Sequence, residues 1–196
     1  MDSDSEAIPS TWRVRERKVD DTRRAQVSIA EVELPDGVRF EQWVLRLPAG
    51  AVVVVLDAQD RVLMLRRHRF VPDRWVWELP GGYVDEGEDP KVTASREVEE
   101  ETGWRPGPLR QLLSFQPMPS VLDGETHLFL ARDAQHASEP DVNEPGEVAW
   151  IPIDSALGMI ERQEILGSAS VIGILHVLAT PTIRATAGPT SATGGE

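Results

Sequence analysis

The residues best suited to chemistry are four glutamates in one short stretch, residues 89–103. Helical spacing of about 100° per residue puts Glu97, Glu100 and Glu101 on one face and turns Glu99 almost to the opposite side. Three carboxylates this close repel one another, and a divalent cation relieves the repulsion. All-oxygen ligands suit a hard ion such as Mg²⁺. The spacing therefore predicts a metal site, against the alternative of an acidic helix face that is only solvated.

Local signals place these glutamates on a helix of about three turns. Asp89 stands where an N-cap belongs, Pro90 where the first helical residue belongs, and Gly103 where a left-handed C-cap ends the helix. Ala94 and Val98 form a small apolar strip beside the acidic face. We therefore expect a helix that begins at Pro90 and packs on a sheet through this strip.

A longer pattern runs through the same stretch. Gly82 is followed after five residues by Glu88 and, after seven more, by the run R-E-V-E-E-E-T-G-W at residues 96–104. This pattern resembles the Nudix box, G-x5-E-x7-R-E-U-x-E-E-x-G-U. Every fixed position matches, and only Trp104 stands where an aliphatic residue is usual. The resemblance implies an α+β fold, an α/β/α sandwich with a mixed β-sheet between helices, and metal-dependent hydrolysis of a nucleoside diphosphate linked to another group.

The same resemblance implies which residues act. Mg²⁺ or Mn²⁺ would bind the Gly81 carbonyl and the carboxylates of Glu97, Glu100 and Glu101. Arg96 and Glu88 would form the ion pair that orients those acids. Glu97, Glu100 and Arg96 are thereby candidate catalytic groups.

Hydrolysis also needs a base that activates water. A box glutamate could serve, or an acid from a loop that closes over the site. The segment 139–147 is acidic, rich in proline and glycine, and precedes a predicted strand. In hydrolases that the chain resembles, the loop acid lies in this region. Glu144 and Glu147 are therefore our candidates, against the alternative that these acids are only solvated.

Positive charge is concentrated at the end of a predicted strand, residues 66–69. We interpret Arg66 and Arg67 as ordinary strand-end charges, whereas Arg69 matches an arginine that contacts substrate in ADP-ribose pyrophosphatases. Trp43 could stack on a nucleobase, with packing in a core or an interface as the alternative. The candidate substrate-binding residues are Arg69, Glu78, Arg39 and Trp43.

Composition limits the remaining possibilities. The 196 residues carry a formal charge of −13 and suit a single domain with small additions. The excess of acids attracts no polyanion, so we expect local arginines or a metal to hold the substrate, and no nucleic acid partner. The sequence contains no cysteine, no signal-peptide pattern and no apolar run long enough to span a bilayer. We expect a cytoplasmic protein that binds a small-molecule nucleoside diphosphate and no membrane.

The chain divides into four predicted segments. They are a disordered tail (1–10), a β-rich extension (11–48), the Nudix domain (49–180) and a second disordered tail (181–196). The tails are predicted from their small, polar residues. The extension shows three strand patterns, near residues 12–19, 25–34 and 38–47. In the domain, residues 52–56 form a continuous apolar run, which is typical of a strand buried on both faces.

Three features outside the box resemble ADP-ribose pyrophosphatases: the β-rich extension, Pro119 fifteen residues beyond the box, and the ending at residues 161–179. This resemblance implies that ADP-ribose or a similar nucleotide sugar is cleaved, giving a nucleoside monophosphate and a sugar phosphate. It also implies a homodimer whose subunits exchange the extension. Two alternatives stay open: nucleoside triphosphates or dinucleotide cofactors as substrates, and a nucleotide-binding module without activity. The complete set of box acids disfavours the last.

Overall fold

The computed structural model of the chain describes residues 12–140 and 146–184. The strands in these ranges are β1 (Arg13–Asp20), β2 (Gln26–Glu33), β3 (Arg39–Arg46), β4 (Gly50–Val55), β5 (Arg61–Arg69), β6 (Arg74–Glu78), β7 (Gly81–Tyr83), β8 (Trp104–Arg105), β9 (Arg110–Phe115), β10 (Leu122–Asp123), β11 (Thr126–Ala131), β12 (Gln135–His136) and β13 (Glu147–Pro152). The helices are α1 (Pro90–Thr102), α2 (Ile153–Glu161), α3 (Ser168–Ala179) and α4 (Pro181–Arg184). None of these helices has the length and apolar character that a bilayer crossing requires.

The chain forms two units, and the first combines residues 12–48 with residues 118–124. Its sheet has the order β1-β2-β3-β10. The three predicted strands are confirmed as an antiparallel meander, and Gly37 (φ +86°) makes the turn between β2 and β3. Strand β10 pairs parallel with β3. The unit therefore includes residues 118–124, which the sequence analysis assigned to the other domain.

An ion pair crosses the meander from β1 to β3. Arg46 donates to both oxygens of Glu16, over 2.6 and 2.8 Å, and Glu16 also accepts a hydrogen bond from Ser28 on β2. The Arg46 hydrogen bonds lower the pKa of Glu16, although burial opposes them, and Ser28 adds to the lowering. The charged carboxylate is therefore the form that this sheet stabilises.

We expect the first unit to lose stability in acid as Glu16 is protonated. A carboxylate whose pKa is lower in the folded state stabilises that state above its unfolded pKa, and this contribution falls as the pH drops through the folded pKa. The protection factors of the amide hydrogens in β1–β3, which correct for the intrinsic slowing of exchange in acid, should therefore fall on acidification more in the wild type than in Glu16→Gln. Equal pH dependence in the two proteins would show that the pair adds nothing.

The second unit is built on strand β4, which is buried on both faces as predicted. Ala51, Val53 and Val55 pack with Ala94 and Val98 of α1. Val52 and Val54, which alternate with these residues along β4, pack on the opposite face against α2 and α3. The strand orders are β7-β4-β11-β9, β13-β5-β6 and β12-β8. Because β4 pairs parallel with β11 and antiparallel with β7, the sheet is mixed, and the predicted sandwich with helices on both faces is confirmed.

The carboxyl end of the described chain is part of this core. Ile183 of α4 is 3% exposed, and Arg132 donates to its carbonyl oxygen over 2.8 Å. Residues 181–184, which we predicted to belong to the second disordered tail, therefore form helix α4, and Ile183 packs in the core. The predicted core position of Trp77 and Trp150 is confirmed, since both are partly buried against the two core clusters.

Gly173 lets helix α3 approach the sheet closely. A Cβ at this position would lie 2.9 Å from Val54 Cγ2, 2.9 Å from Leu79 Cδ1 and 3.2 Å from Leu128 Cδ1. We expect Gly173→Ala to destabilise the protein by about 1 kcal/mol, because overpacking outweighs the gain in helix propensity. The matched control is Gly158→Ala in α2, where a Cβ would meet only the flexible end of Arg162, at 3.0 Å. Chemical denaturation should show stabilisation in the control, and a stabilised Gly173→Ala would contradict the close packing.

Candidate active site

Helix α1 begins and ends where the sequence predicts. The Asp89 side chain accepts a hydrogen bond from the Lys91 N–H over 2.8 Å, and Pro90 is the first helical residue. Gly103 ends the helix in the left-handed conformation (φ 75°), with its N–H donating to the Glu99 carbonyl over 2.8 Å. Local signals thus determine where α1 begins and ends, and the spacing of its apolar residues determines which side packs on the sheet. The side of α1 that carries Ala94 and Val98 therefore faces the sheet.

Two glycines bring strand β7 close to the helix and to β4. A Cβ at Gly81 would collide with the carbonyl oxygen of Ala51. A Cβ at Gly82 would lie 2.6 and 2.7 Å from the two carboxylate oxygens of Glu97. The Glu97 carboxylate thus occupies the space that any side chain at position 82 would need.

The glycine loop, residues 80–82, is held from both sides. On one side, Val53 N–H donates to the Pro80 carbonyl over 3.0 Å. On the other, Leu79 N–H donates over 3.0 Å to the hydroxyl of Ser170, which is buried at the start of α3. Strand β4 and helix α3 together therefore set the position of Gly81.

Arg96 ties three acids into one cluster. Its guanidinium donates to Glu97 over 2.8 Å, to Glu100 over 3.0 Å and to Glu88 over 3.3 Å. A hydrogen bond from Thr93, followed by those from Arg96, lowers the pKa of Glu88. The same acids raise the pKa of Arg96, with Glu88 contributing most. The geometry therefore contains the expected pairing of Arg96 with Glu88.

Glu101, like Glu97, is largely buried. Its side chain is 17% exposed, and its two oxygens accept hydrogen bonds from the Gly81 N–H, over 2.8 Å, and from Arg67, over 3.0 Å. Burial raises the pKa of Glu101 and nearby Glu97 adds to the effect, whereas Arg67 and Gly81 oppose it. A carboxylate in this setting gains from a further positive charge.

Glu99 points away from the cluster, as helical spacing predicts. It forms a paired contact with Arg105, with two donor–acceptor distances of 2.8 Å. This pair lies on the exposed side of α1 and lowers the pKa of Glu99 through the Arg105 hydrogen bonds. The helix thus separates one structural glutamate from the three predicted metal ligands.

The donor groups around Gly82 suit a hard divalent cation. Within residues 12–140 and 146–184, no three acidic or histidine side chains already converge on one point. Glu97 and Glu101 are nevertheless close enough to interact electrostatically. Their oxygens are of the kind that Mg²⁺ and Mn²⁺ prefer, and glycine at position 82 leaves room for the Glu97 carboxylate to lie against the loop. The residues therefore fit such an ion once Glu97 and Glu100 turn from Arg96.

Arg67 is the residue of the site that the sequence analysis missed. We interpreted it as an ordinary strand-end charge, yet its side chain is only 13% exposed and pairs with Glu101, 34 residues away. Strand alternation was the available signal, because Arg67 shares a face with buried Leu63 and Leu65. Arg66, on the opposite face, is about half exposed, as expected of a strand-end charge.

Arg69 and Glu78 form a close pair beside this cluster. Arg69 Nη2 lies 2.6 Å from Glu78 Oε2, and Arg69 Nε lies 3.0 Å from each Glu78 oxygen. Both side chains, together with Arg67 and exposed Trp75, line a cavity of about 1010 Å³. Two predicted substrate-binding residues are therefore brought together, next to the arginine that holds Glu101.

The remaining predicted site residues are Arg39, Trp43, Glu144 and Glu147. Arg39, which pairs with Glu33 over 3.0 Å, and half-exposed Trp43 belong to the first unit, so their role in binding stays a prediction. Glu144 lies outside the described residues. Glu147 lies 3.7 Å from Arg66, on the face of β5 opposite Arg67, so the structure does not bring it to the box acids.

Comparison with known proteins agrees with this geometry. The profile of the NUDIX domain family matches residues 46–167. The chain belongs to the Nudix family. It is a Nudix pyrophosphohydrolase similar to ADP-ribose pyrophosphatases, which confirms the resemblance drawn from the box.

Two relatives and one solved structure define this similarity of the Nudix chain. A CMP-5'-(N-acetyl-N-hydroxy-3-aminopropyl)phosphonate hydrolase of Streptomyces rubellomurinus is 47% identical over 164 residues, which is 83% of this chain and 80% of that protein. An ADP-ribose pyrophosphatase of Bacillus subtilis is 28% identical over 160 residues, which is 80% of this chain and 86% of that protein. A crystal structure of an ADP compounds hydrolase has a TM-score of 0.74 and 21% identity, covering 86% of this chain and 92% of that chain. This last likeness shows the shared fold.

Proposed function

We propose that the protein cleaves the P–O–P linkage between a nucleoside 5'-monophosphate and a second phosphorus group, releasing the monophosphate. The observation that carries the proposal is the buried carboxylate of Glu101, set beside Glu97 at the glycine loop. The relatives support the substrate class, because one is named for a CMP-linked phosphonate and another for ADP-ribose. Both compounds join a nucleoside monophosphate to a second phosphorus group.

In this proposal one set of residues binds the cation, and Arg96 orients the glutamates of that set. Glu97, Glu100 and Glu101, with the Gly81 carbonyl, hold Mg²⁺ or Mn²⁺. When bound, the cation neutralises the charge that develops on the phosphorus oxygens. Arg96 keeps Glu97 and Glu100 on the same side of α1, over 2.8 and 3.0 Å.

The hydrolytic step needs a base and a place for the departing group. Water attacks one phosphorus atom, the bond from that atom to the bridging oxygen breaks, and the base takes the proton of the water. We propose Glu144 as the base, with the box acids Glu97 and Glu100 as the alternative. Arg69, which lines the cavity with Glu78, is proposed to bind the phosphorus group.

Two substrates are favoured by separate observations. The CMP-linked phosphonate is favoured by the relative with 47% identity. ADP-ribose, or a similar nucleotide sugar, is favoured by the Bacillus subtilis pyrophosphatase and by the β-rich first unit. We expect CMP and a free phosphonate from the first compound, and AMP and ribose 5-phosphate from the second.

A substrate panel tests the proposal directly. The CMP-linked phosphonate, ADP-ribose, GDP-mannose, NADH and CTP are each incubated with Mg²⁺ or Mn²⁺ and followed by ³¹P NMR. Loss of the coupled phosphorus signals with appearance of a nucleoside monophosphate is expected for one of the first two. Hydrolysis of CTP or NADH alone would move the protein to another Nudix substrate class, and no hydrolysis at all would contradict the proposal.

The proposed assembly is a homodimer in which the first unit takes part. This stays a prediction, based on the β-rich unit that the sequence shares with ADP-ribose pyrophosphatases. Light scattering of the intact chain measures the assembly directly, and a monomer at micromolar concentration would contradict it.

A further inference from the structure

A patch of exposed apolar side chains lies at the hairpin tip, the turn of residues 70–73 between β5 and β6. Phe70 is 84% exposed, Val71 is exposed nearly as much, and Trp75, near the start of β6, is 54% exposed. All three line the cavity of about 1010 Å³ that Arg69 and Glu78 also line. Contiguous apolar patches of this kind mark binding surfaces.

Neighbouring side chains hold the indole of Trp75 in place. The centroid of the His68 ring lies 5.6 Å from that of Trp75, and the Arg66 guanidinium carbon lies 5.8 Å from the indole centroid. His68 Nε2 in turn lies 3.0 Å from Asp73 Oδ1. More than half of Trp75 stays exposed beside these contacts. A ring that is already oriented loses little freedom when a second ring stacks on it.

The same cavity also carries positive charge. Arg67 and Arg69 line it against a single glutamate, Glu78, in a chain whose formal charge is −13. This local excess of arginine suits an anionic ligand group.

The strand register separates the charged part of the cavity from the aromatic part. Arg69 and Glu78 lie on one face of the hairpin, whereas Trp75 pairs with His68 on the other face. Because all of them line one cavity together with Phe70, the cavity runs from the arginines round the hairpin tip to the indole. A nucleotide matches this layout, since its ribose holds a flat aromatic base apart from the phosphate.

We propose that the base of the substrate stacks on Trp75, with Phe70 beside it, while the phosphorus groups lie at the arginines. This inference rests on the proposed function for the statement that the substrate is a nucleotide. It assigns the nucleobase to the cavity of the second unit.

A stack of this kind does not select one base, because every base has a π-face. Among the described residues that line the cavity there is no asparagine or glutamine, the side chains that pair with the edge of adenine. The site therefore accepts cytosine and adenine alike, as the two favoured substrates require. We expect CMP and AMP to bind with affinities that differ by less than about 5-fold.

The test compares the binding of CMP and of ribose 5-phosphate, which has the sugar and the phosphate but no base. Both affinities are measured by calorimetry on the intact chain. We expect Trp75→Leu to weaken CMP binding about 10-fold, as for the loss of one base–aromatic stack, and to leave ribose 5-phosphate binding unchanged. Trp75→Phe keeps an aromatic ring and should bind CMP nearly as the wild type does.

The matched control is Trp12→Leu. Trp12 is 56% exposed and lies in the first unit, so this variant should bind both ligands as the wild type does. A residue that only supports the fold would weaken both ligands alike. Unchanged CMP binding in Trp75→Leu, or equal weakening of the two ligands, overturns the proposal.

A second measurement keeps the test decisive should Trp75→Leu fail to fold. In a ¹⁵N-labelled sample each of the six tryptophans has one indole N–H signal, and the signal missing from Trp75→Phe belongs to Trp75. CMP should shift this signal, and ribose 5-phosphate should shift it far less. Shifts confined to other tryptophans, such as Trp43, overturn the proposal.

These measurements separate this inference from the proposed function, because neither uses hydrolysis. The substrate panel can show no cleavage while the CMP result stands, and cleavage by a Trp75→Leu variant that binds CMP like the wild type overturns this inference alone. The other occupant to consider at the hairpin tip is a second copy of the chain. Light scattering that shows a changed assembly in Trp75→Leu, with CMP binding unchanged, would assign the tip to that copy and overturn the proposal.

Discussion

Glu101→Gln is expected to lower kcat by about 10³-fold, the range seen when a group that stabilises transition-state charge is removed. The amide keeps the shape of the side chain but has one acceptor, whereas both oxygens of Glu101 accept hydrogen bonds in the structure. It also carries no charge for a cation. Steady-state kinetics with saturating Mg²⁺ on the substrate identified by the panel measure the loss.

A second measurement separates this loss from unfolding. Added Mn²⁺ should raise the melting temperature of the wild type, because the cation relieves the repulsion between Glu97 and Glu101, and it should raise that of Glu101→Gln far less. The matched control is Glu99→Gln, on the opposite side of α1, which loses only its exposed pair with Arg105. Full activity in Glu101→Gln would refute the metal assignment.

Gly82→Ala is expected to lower kcat by about 10²-fold, the cost of a misplacement near 1 Å at a reacting centre. The new methyl group needs the space that the Glu97 carboxylate fills, at 2.6 and 2.7 Å from its oxygens. Because the Glu97 side chain can rotate away, the protein should fold, with its carboxylate displaced from the site. Kinetics and thermal unfolding are measured on the same samples.

Gly50→Ala is the control for this substitution. Gly50 lies on neighbouring β4, opposite Tyr83 of β7, and a Cβ there would be 3.5 Å from Thr126, an ordinary contact. The control should keep its activity. Equal activity of Gly82→Ala and Gly50→Ala would show that Glu97 tolerates displacement.

The parts of the site that could be predicted depend on short-range signals. Asp89, Pro90 and Gly103 fix α1 within the sequence itself, so the separation of Glu99 from the other acids follows from helix geometry alone. The apolar run of β4 likewise predicts a strand that is buried on both faces. These features need no knowledge of what lies far away along the chain.

The parts that were missed depend on contacts between distant segments. Arg67 meets Glu101 across 34 residues, and only the packing of β5 near α1 brings them together. The pairing of β10 with β3 is also remote, because residues 118–124 show no strand pattern of their own. Glu147 was proposed from its acidic neighbourhood and from the loop acid of hydrolases that the chain resembles; the strand register pairs it with Arg66, and its role as a base stays a prediction. The sequence pattern gives the face of a strand on which a charge lies, but it does not give the distant group that the charge contacts there.

The anchoring of Leu79 by Ser170 means that the support of the candidate site extends beyond the region that the family profile matches. The profile match ends at residue 167, three residues before the hydroxyl that secures the loop ahead of Gly81. A chain shortened to the matched region would lose this support of the candidate active site. A safe boundary lies beyond α4, because Ile183 also belongs to the core.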